Sequence, residues 1–259
     1  MATPALVSPP ANVMDSITPK SIKAPGHVLE LLRRLHRKSL DQEAEIKASG
    51  AVEEIKSHAS GDPKERKQLI DNLMRDKFIA LVPDKAVYMY NMVRASRALH
   101  VVECGTSYGV STIYLALAVG QNAAIAGKKP GSARVIATEN EAAKAAQARA
   151  HWKEAGDSVM PWIDIREGDI LETLQHDVAD VDFVLFDIWS PMALPILKTL
   201  EPKLRNGAML LTDNTISAAE GYAEFLSYIK ADGSPYTTMT LPFEDGLELT
   251  LYSPNLVAV

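Results

Sequence analysis

The sequence predicts an α/β fold: a doubly wound, mostly parallel seven-stranded sheet with a reversed edge strand, preceded by N-terminal helices. Three observations predict it. From residue 99 onward, short apolar runs alternate with segments of helical periodicity. That is the order of a parallel sheet covered on both faces. The first run leads into Glu103-Cys104-Gly105-Thr106-Ser107-Tyr108-Gly109, a strand–loop–helix unit whose glycines permit close backbone approach. The last two runs flank Pro242-Phe243-Glu244-Asp245-Gly246, which reads as an antiparallel pair around a turn.

Composition sets limits on function. Apolar residues are 47% of the 259, enough for a substantial core. The formal charge is −6 and no Lys/Arg-rich block stands out, which argues against a nucleic-acid groove. The single cysteine, Cys104, excludes an intramolecular disulfide and a cysteine metal cluster. Inside an apolar strand it reads as a packing residue. No apolar run is long enough for a transmembrane helix. The N-terminus lacks a charged segment followed by an apolar stretch, so a cytoplasmic protein without membrane partners is expected.

Residues 1–25 hold Pro4, Pro9, Pro10, Pro19 and Pro25 and read as an extended or disordered arm. Residues 26–97 read as N-terminal helices, a cap or dimer element. Val28, Leu31, Leu32 and Leu35 share one face of the first. Its Arg33, Arg34, Arg37 and Lys38 are either a solvated face or a partner site. Ser60-Gly61-Asp62-Pro63 predicts a helix start with Asp62 as N-cap, the helix running to Ile79 or Leu81. Pro83-Asp84 starts another, carrying Val87, Met89, Tyr90 and Val93.

Residues 98–259 form the main domain. Strands are predicted at Leu99–Cys104, Arg134–Thr138, Trp162–Arg166, Val181–Phe186, Ala208–Thr212, Tyr236–Leu241 and Leu247–Tyr252. Helices are predicted at Ser111–Val119, Glu141–Ala155, Ile170–His176, Met192–Leu204 and Ala218–Ile229, with a loop over Gln121–Ala133.

In open α/β sheets, ligands bind beyond the carboxyl ends of the strands. The residues just past those ends are therefore the candidates. The first loop spaces its glycines G-x-x-x-G, unlike dinucleotide or phosphate-binding loops, and no lysine follows to neutralise a phosphate. This points to a nucleoside ligand without pyrophosphate, S-adenosylmethionine being the common one. Glu139 could accept from a ribose diol. Asp169, after Gly168, either accepts from adenine or caps the next helix. Trp189 either stacks on adenine or joins the core. Asp187, Asp213 and Asn214 end two successive strands. They read either as hard oxygen ligands suited to Mg²⁺ or as a capping turn.

In order and spacing, Glu103-x-Gly105-Thr106-Ser107-x-Gly109-x-Ser111-Thr112, Glu139, Gly168-Asp169, Asp187-x-Trp189, Leu211-Thr212-Asp213-Asn214 and Leu241-Pro242…Asp245-Gly246-Leu247 resemble the metal-dependent O-methyltransferases that include the catechol and caffeoyl-CoA enzymes. The resemblance covers about residues 70 to 255. It implies a Rossmann-like methyltransferase domain over 98–259 and a homodimer. Glu103, Gly105, Thr106, Ser107, Gly109 and Ser111 would form the cofactor loop, Ser111 toward the methionine end. Glu139 would hold the ribose, and Gly168, Asp169, Asp187 and Trp189 the rest of the nucleoside side. Asp187, Asp213 and Asn214 would hold the divalent ion, with Asp187 and Ser190 at the reacting end. One departure stands out. Catechol O-methyltransferase has Asp-His-Trp-Lys, its lysine the general base, where this chain has Asp187-Ile188-Trp189-Ser190.

The expected function is S-adenosylmethionine-dependent, divalent-metal-assisted O-methylation of a small hydroxylated molecule. The rivals are metal-independent transfer to nitrogen or carbon, and a cofactor-binding protein without catalysis. Turnover with metal added or chelated separates the three.

Overall fold

The computed structural model describes residues 13–58, 69, 72–74 and 76–254. The helix start at Asp62 and Pro63 lies outside the described residues. α1 spans Gly26–Ser49, α2 Ala51–His58 and α3 Pro83–Ala95. Then come β1 His100–Cys104, α4 Val110–Ile125, β2 Arg134–Glu139, α5 Ala142–Ala155, β3 Ile163–Glu167 and α6 Ile170–Thr173. The last described elements are β4 Val181–Phe186, α7 Ala193–Leu200, β5 Leu204–Asp213, α8 Ala223–Ile229, β6 Tyr236–Leu241 and β7 Leu247–Tyr252.

The seven strands form one sheet in the order β3-β2-β1-β4-β5-β7-β6. β1 to β5 are parallel. The reversed strand is β7, antiparallel to both β5 and β6 and seated between them. The period-2 alternation of strand side chains divides the core in two. Val101, Val135, Ala137, Phe183 and Leu185 face one way and pack beneath α1, α3, α4 and α5. Val102, Cys104, Ile136, Val184 and Phe186 face the other way, toward α7 and α8. Cys104 is fully buried, and burial pushes its thiol pKa well up, consistent with a packing role. Among the described residues no helix is long and apolar enough to cross a membrane.

The N-terminal segment is built into this core. Ile17 and Ile22 are fully buried with Val28, Leu31, Leu32 and Leu35 of α1. Three of the four basic residues Arg33, Arg34, Arg37 and Lys38 of α1 find partners within the chain. Arg33 donates to the Ile17 carbonyl (2.8 Å), Arg34 pairs with Glu154 (2.5 Å), and the Lys38 ammonium lies 4.4 Å from the Phe78 ring centre.

Several boundaries differ from the sequence reading, each for a tertiary reason. Residues 77–82 are not helical. The backbone N–H of Phe78 donates to Gln42 (2.5 Å) and that of Ala80 to Ser39 (2.9 Å), both on α1. α4 runs on to Ile125, through residues that read as loop. Gln121 accepts from Tyr90 (2.6 Å), and buried Asn122 donates to the carbonyls of Val93 (2.8 Å) and Ala98 (2.9 Å). α7 stops at Leu200, where Glu201-Pro202-Lys203 forms a 3-10 turn. β5 starts early, at Leu204, with an irregular register against β4. Buried Asp182 of β4 anchors this end of the sheet. It accepts from the N–H groups of Leu99 (2.7 Å) and His100 (3.0 Å), and Arg205 pairs with it at 2.6 Å.

One core residue gives the fold a pH dependence. His36 of α1 is 1% exposed and lies 2.8 Å from the Tyr114 hydroxyl. Burial lowers its pKa from 6.5 to about 4. Between those values the unfolded chain binds more protons, so stability falls as pH drops through that window. The expected loss is about 3 kcal/mol over the whole window. Comparing wild type with His36→Gln by denaturant unfolding from pH 8 to pH 4 checks this. The difference between them should be flat above pH 7 and shrink below it. A constant difference would show that His36 does not titrate with folding.

Candidate active site

The chain proceeds from β1 outward through β2 and β3, then returns to β4 on the other side of β1. The crevice at such a switch point is where open α/β sheets take their ligands. All the residues singled out in the sequence lie at this carboxyl end or in the loops that leave it.

Glu103 organises the first loop. It is fully buried; its Oε1 accepts from Ser111 (2.7 Å) and its Oε2 from Thr106 (2.7 Å) and Thr112 (2.6 Å). Burial raises its pKa, and the three hydroxyls pull the other way. The Ser111 hydroxyl thus donates its hydrogen bond to Glu103. Ser107 adopts φ 49°, and its N–H donates to Glu139 Oε2 at 2.7 Å. Glu139 Oε1 accepts from the Glu141 N–H at 2.8 Å. The Glu139 carboxylate is thus held beside the loop with each oxygen bonded once.

The two loop glycines are required by the protein's own packing. Gly105 has φ +93°, and a Cβ there would lie 2.1 Å from the Asp187 carbonyl oxygen. Gly109 has φ +74°, and its Cβ would lie 2.5 Å from Trp152 Nε1, which donates to the Gly109 carbonyl at 2.9 Å. The close approach expected from the sequence is real, but in these two directions the approaching atoms are β4 and α5.

Gly168 has φ +116°, and its N–H donates to the Glu139 carbonyl (3.0 Å). Asp169 caps α6: its Oδ1 accepts from the Leu171 N–H (2.8 Å). Trp189 is 39% exposed and outside the core. Ser190 opens the 3-10 turn Ser190–Met192, its hydroxyl against Gly221, where a Cβ would come within 2.0 Å of it. A lysine at 190 has no room in that direction.

Asp187 and Asp213 leave adjacent parallel strands, Phe186 being in register with Thr212. Asp187 has its pKa pushed up to about 8 by burial, by Asp213 and by Glu103, with Lys85 opposing. Asp213 is raised too, chiefly by burial, against the pull of Lys85. Asn214 sits at φ 59°, its N–H donating to the Gly246 carbonyl (3.1 Å). The turn before β7 thereby closes over the end of β5. On either side of Asp213-Asn214 the buried hydroxyls of Thr212 and Thr215 have no hydrogen-bond partner among the described residues.

Lys85 was not among the residues the sequence singled out. It lies in the first turn of α3, 2% exposed, its ammonium 2.5 Å from Asp213 Oδ1 and 3.2 Å from the Gly246 carbonyl. The available signal was its spacing. Lys85, Met89 and Val93 fall at i, i+4 and i+8, on the face that α3 buries. This residue decides the fit of a divalent ion. Asp213 is already neutralised by an ammonium. The donor set of Asp187, Asp213 and Asn214, as arranged, does not fit a divalent cation.

The sheet order β3-β2-β1-β4-β5-β7-β6, with its parallel strands and reversed β7, defines a Rossmann-like α/β fold. More particularly, residues 102–215 match the model of a methyltransferase domain. Among curated protein sequences, none matches this chain. Many solved structures share its fold, and three of them follow. One is the O-methyltransferase TomG from Streptomyces achromogenes, involved in tomaymycin synthesis and in complex with S-adenosylmethionine. It is 22% identical, with a TM-score of 0.59, over 79% of this chain and 96% of that one. The second is the O-methyltransferase from Bacillus cereus in complex with S-adenosylhomocysteine: 17% identical, TM-score 0.58, 78% and 96% covered. The third is a candidate caffeoyl-CoA O-methyltransferase from Staphylococcus aureus: 16% identical, TM-score 0.55, 83% and 100% covered.

Proposed function

We propose that this protein transfers the methyl group of S-adenosylmethionine to a hydroxyl oxygen of a small molecule. The observation that supports it best is the Glu139 carboxylate, fixed at the end of β2 beside the glycine loop. Each of its oxygens keeps acceptor capacity after its one backbone bond, which suits the two hydroxyls of a ribose. The methyltransferase domain match covers the same segment. Structures of like fold hold this cofactor or its demethylated product.

In the transfer, an acceptor oxygen lone pair forms the new bond to the methyl carbon as the carbon–sulfur bond breaks. The sulfonium becomes a neutral thioether, and the acceptor's proton leaves to a base. Asp213 is paired with Lys85, so Asp187, in its ionised form, is the carboxylate of the two left to receive it. Alignment of acceptor, methyl and sulfur supplies much of the acceleration, about 7–11 kcal/mol in favourable intramolecular systems.

Calorimetry on the purified protein tests the cofactor side. S-adenosylmethionine should bind the wild type. Glu139→Ala should weaken it by about 1.5–3 kcal/mol, the scale of hydrogen bonds to a charged group, or roughly 10- to 150-fold. A wild type that does not bind the cofactor would end this reading, and unchanged affinity in the variant would remove Glu139 from the site. Labelled methyl transfer to a panel of phenols, catechols and alcohols then identifies the acceptor.

A further inference from the structure

We propose that the Lys85 ammonium fills the cation position beside Asp187 and Asp213, so that this site works with a built-in cation and excludes a divalent ion. The placement of Lys85 is costly in three ways. It is almost fully buried, and burying a charge is unfavourable unless it is paired and hydrogen-bonded. It lies in the first turn of α3, where the helix dipole disfavours a cation. It also orders a long side chain with much rotamer freedom to lose. A solvated lysine in the same turn would keep its hydration and its rotamer freedom.

The surroundings show what opposes them. Asp213 Oδ1 and the Gly246 carbonyl take two of the three ammonium donors. Asp187, on the neighbouring strand, feels the same charge. Two carboxylates at adjacent strand ends without a cation would repel each other in a poorly solvated crevice. The cation is supplied from sequence position 85, outside the segment that matches the methyltransferase domain. The N-terminal helices are thereby part of this site. The proposal rests on the methyltransferase reading only for the role of the cation in turnover; its ion-binding content stands apart.

Mn²⁺ titration of the full-length protein, followed by the electron paramagnetic resonance signal of the free ion, tests it without cofactor or acceptor. The wild type should leave that signal unchanged. Lys85→Ala frees the two carboxylates, and it should bind one Mn²⁺ per chain at least about tenfold more tightly than the wild type. If circular dichroism shows that Lys85→Ala does not fold, Lys85→Gln, which keeps part of the stem, is held to the same criterion. Stoichiometric Mn²⁺ binding by the wild type that is lost in Asp213→Asn would overturn the proposal. So would a folded Lys85 variant that binds no ion, because the lysine would then not be what excludes it. Methyl transfer that disappears in chelator would also refute it while leaving the methyltransferase reading intact.

Discussion

Replacing Asp213 by Ala is expected to lower the stability of the fold by about 3–5 kcal/mol, the cost of leaving a buried charge without its partner. Lys85, 2% exposed, would then keep only the Gly246 carbonyl of the two acceptors it has in the wild type. In a chain of this size that corresponds to a fall in melting midpoint of roughly 6–20 °C. Asp213→Asn should fall less, since an amide oxygen still accepts from the ammonium. Lys85→Ala combined with Asp213→Ala should be more stable than Asp213→Ala alone, because neither charge is orphaned. Denaturant unfolding of the wild type, Lys85→Ala, Asp213→Ala and the double variant measures this coupling directly. A loss below about 1 kcal/mol in Asp213→Ala would mean that the pair is no stronger than a surface ion pair.

Glu103→Ala carries the second large effect. It strands the hydroxyls of Thr106, Ser111 and Thr112, which are 2%, 6% and 0% exposed. Each unsatisfied buried group costs about 1–3 kcal/mol. Part of that is offset because burial already disfavours the carboxylate, as its raised pKa shows. The net expectation is a loss of about 2–5 kcal/mol, together with loss of cofactor affinity as the loop loosens. Glu103→Gln should recover part of both, because the hydroxyls can turn to accept from its amide. Thermal unfolding and calorimetry on the two variants decide. If Glu103→Ala melts like the wild type, Glu103 is not the residue that shapes the loop.

These two residues differ in how far the sequence reveals them. Glu103 sits inside its motif, and its three partners follow within nine positions. Its role depends on local spacing, and its selection for the site was possible from the residues alone. Lys85 meets Asp213 across 128 positions. A lysine in the first turn of a helix reads as solvated until the sheet carries β5 beside it. Asp169 shows the intermediate case. Its two readings both fit the sequence, and only the Leu171 N–H at 2.8 Å shows that the cap is formed.

The secondary structure divides in the same way. β4, β6 and β7 have the bounds that the pattern predicts, because strongly apolar or alternating runs lie between clear turn residues. α4 is longer than predicted because Gln121 and Asn122, polar and loop-like in sequence, bond to Tyr90 and to the carbonyls of Val93 and Ala98. The stretch at 77–82 leaves the helix because α1 takes its N–H groups.

What the sequence alone determined is the doubly wound sheet, the glycine loop and the set of strand ends at which acids collect. These follow from local periodicity and from the rule that parallel strands open their carboxyl ends to one side. The tertiary structure decided that Gly105 and Gly109 make room for Asp187 and Trp152, and that Ser190 packs on Gly221. It also decided that the acidic pair at the ends of β4 and β5 receives its cation from α3. The physical reason is the same in each case. Steric exclusion and charge pairing act between atoms within a few ångströms, and which distant residues come that close is set only when helices and sheet have packed.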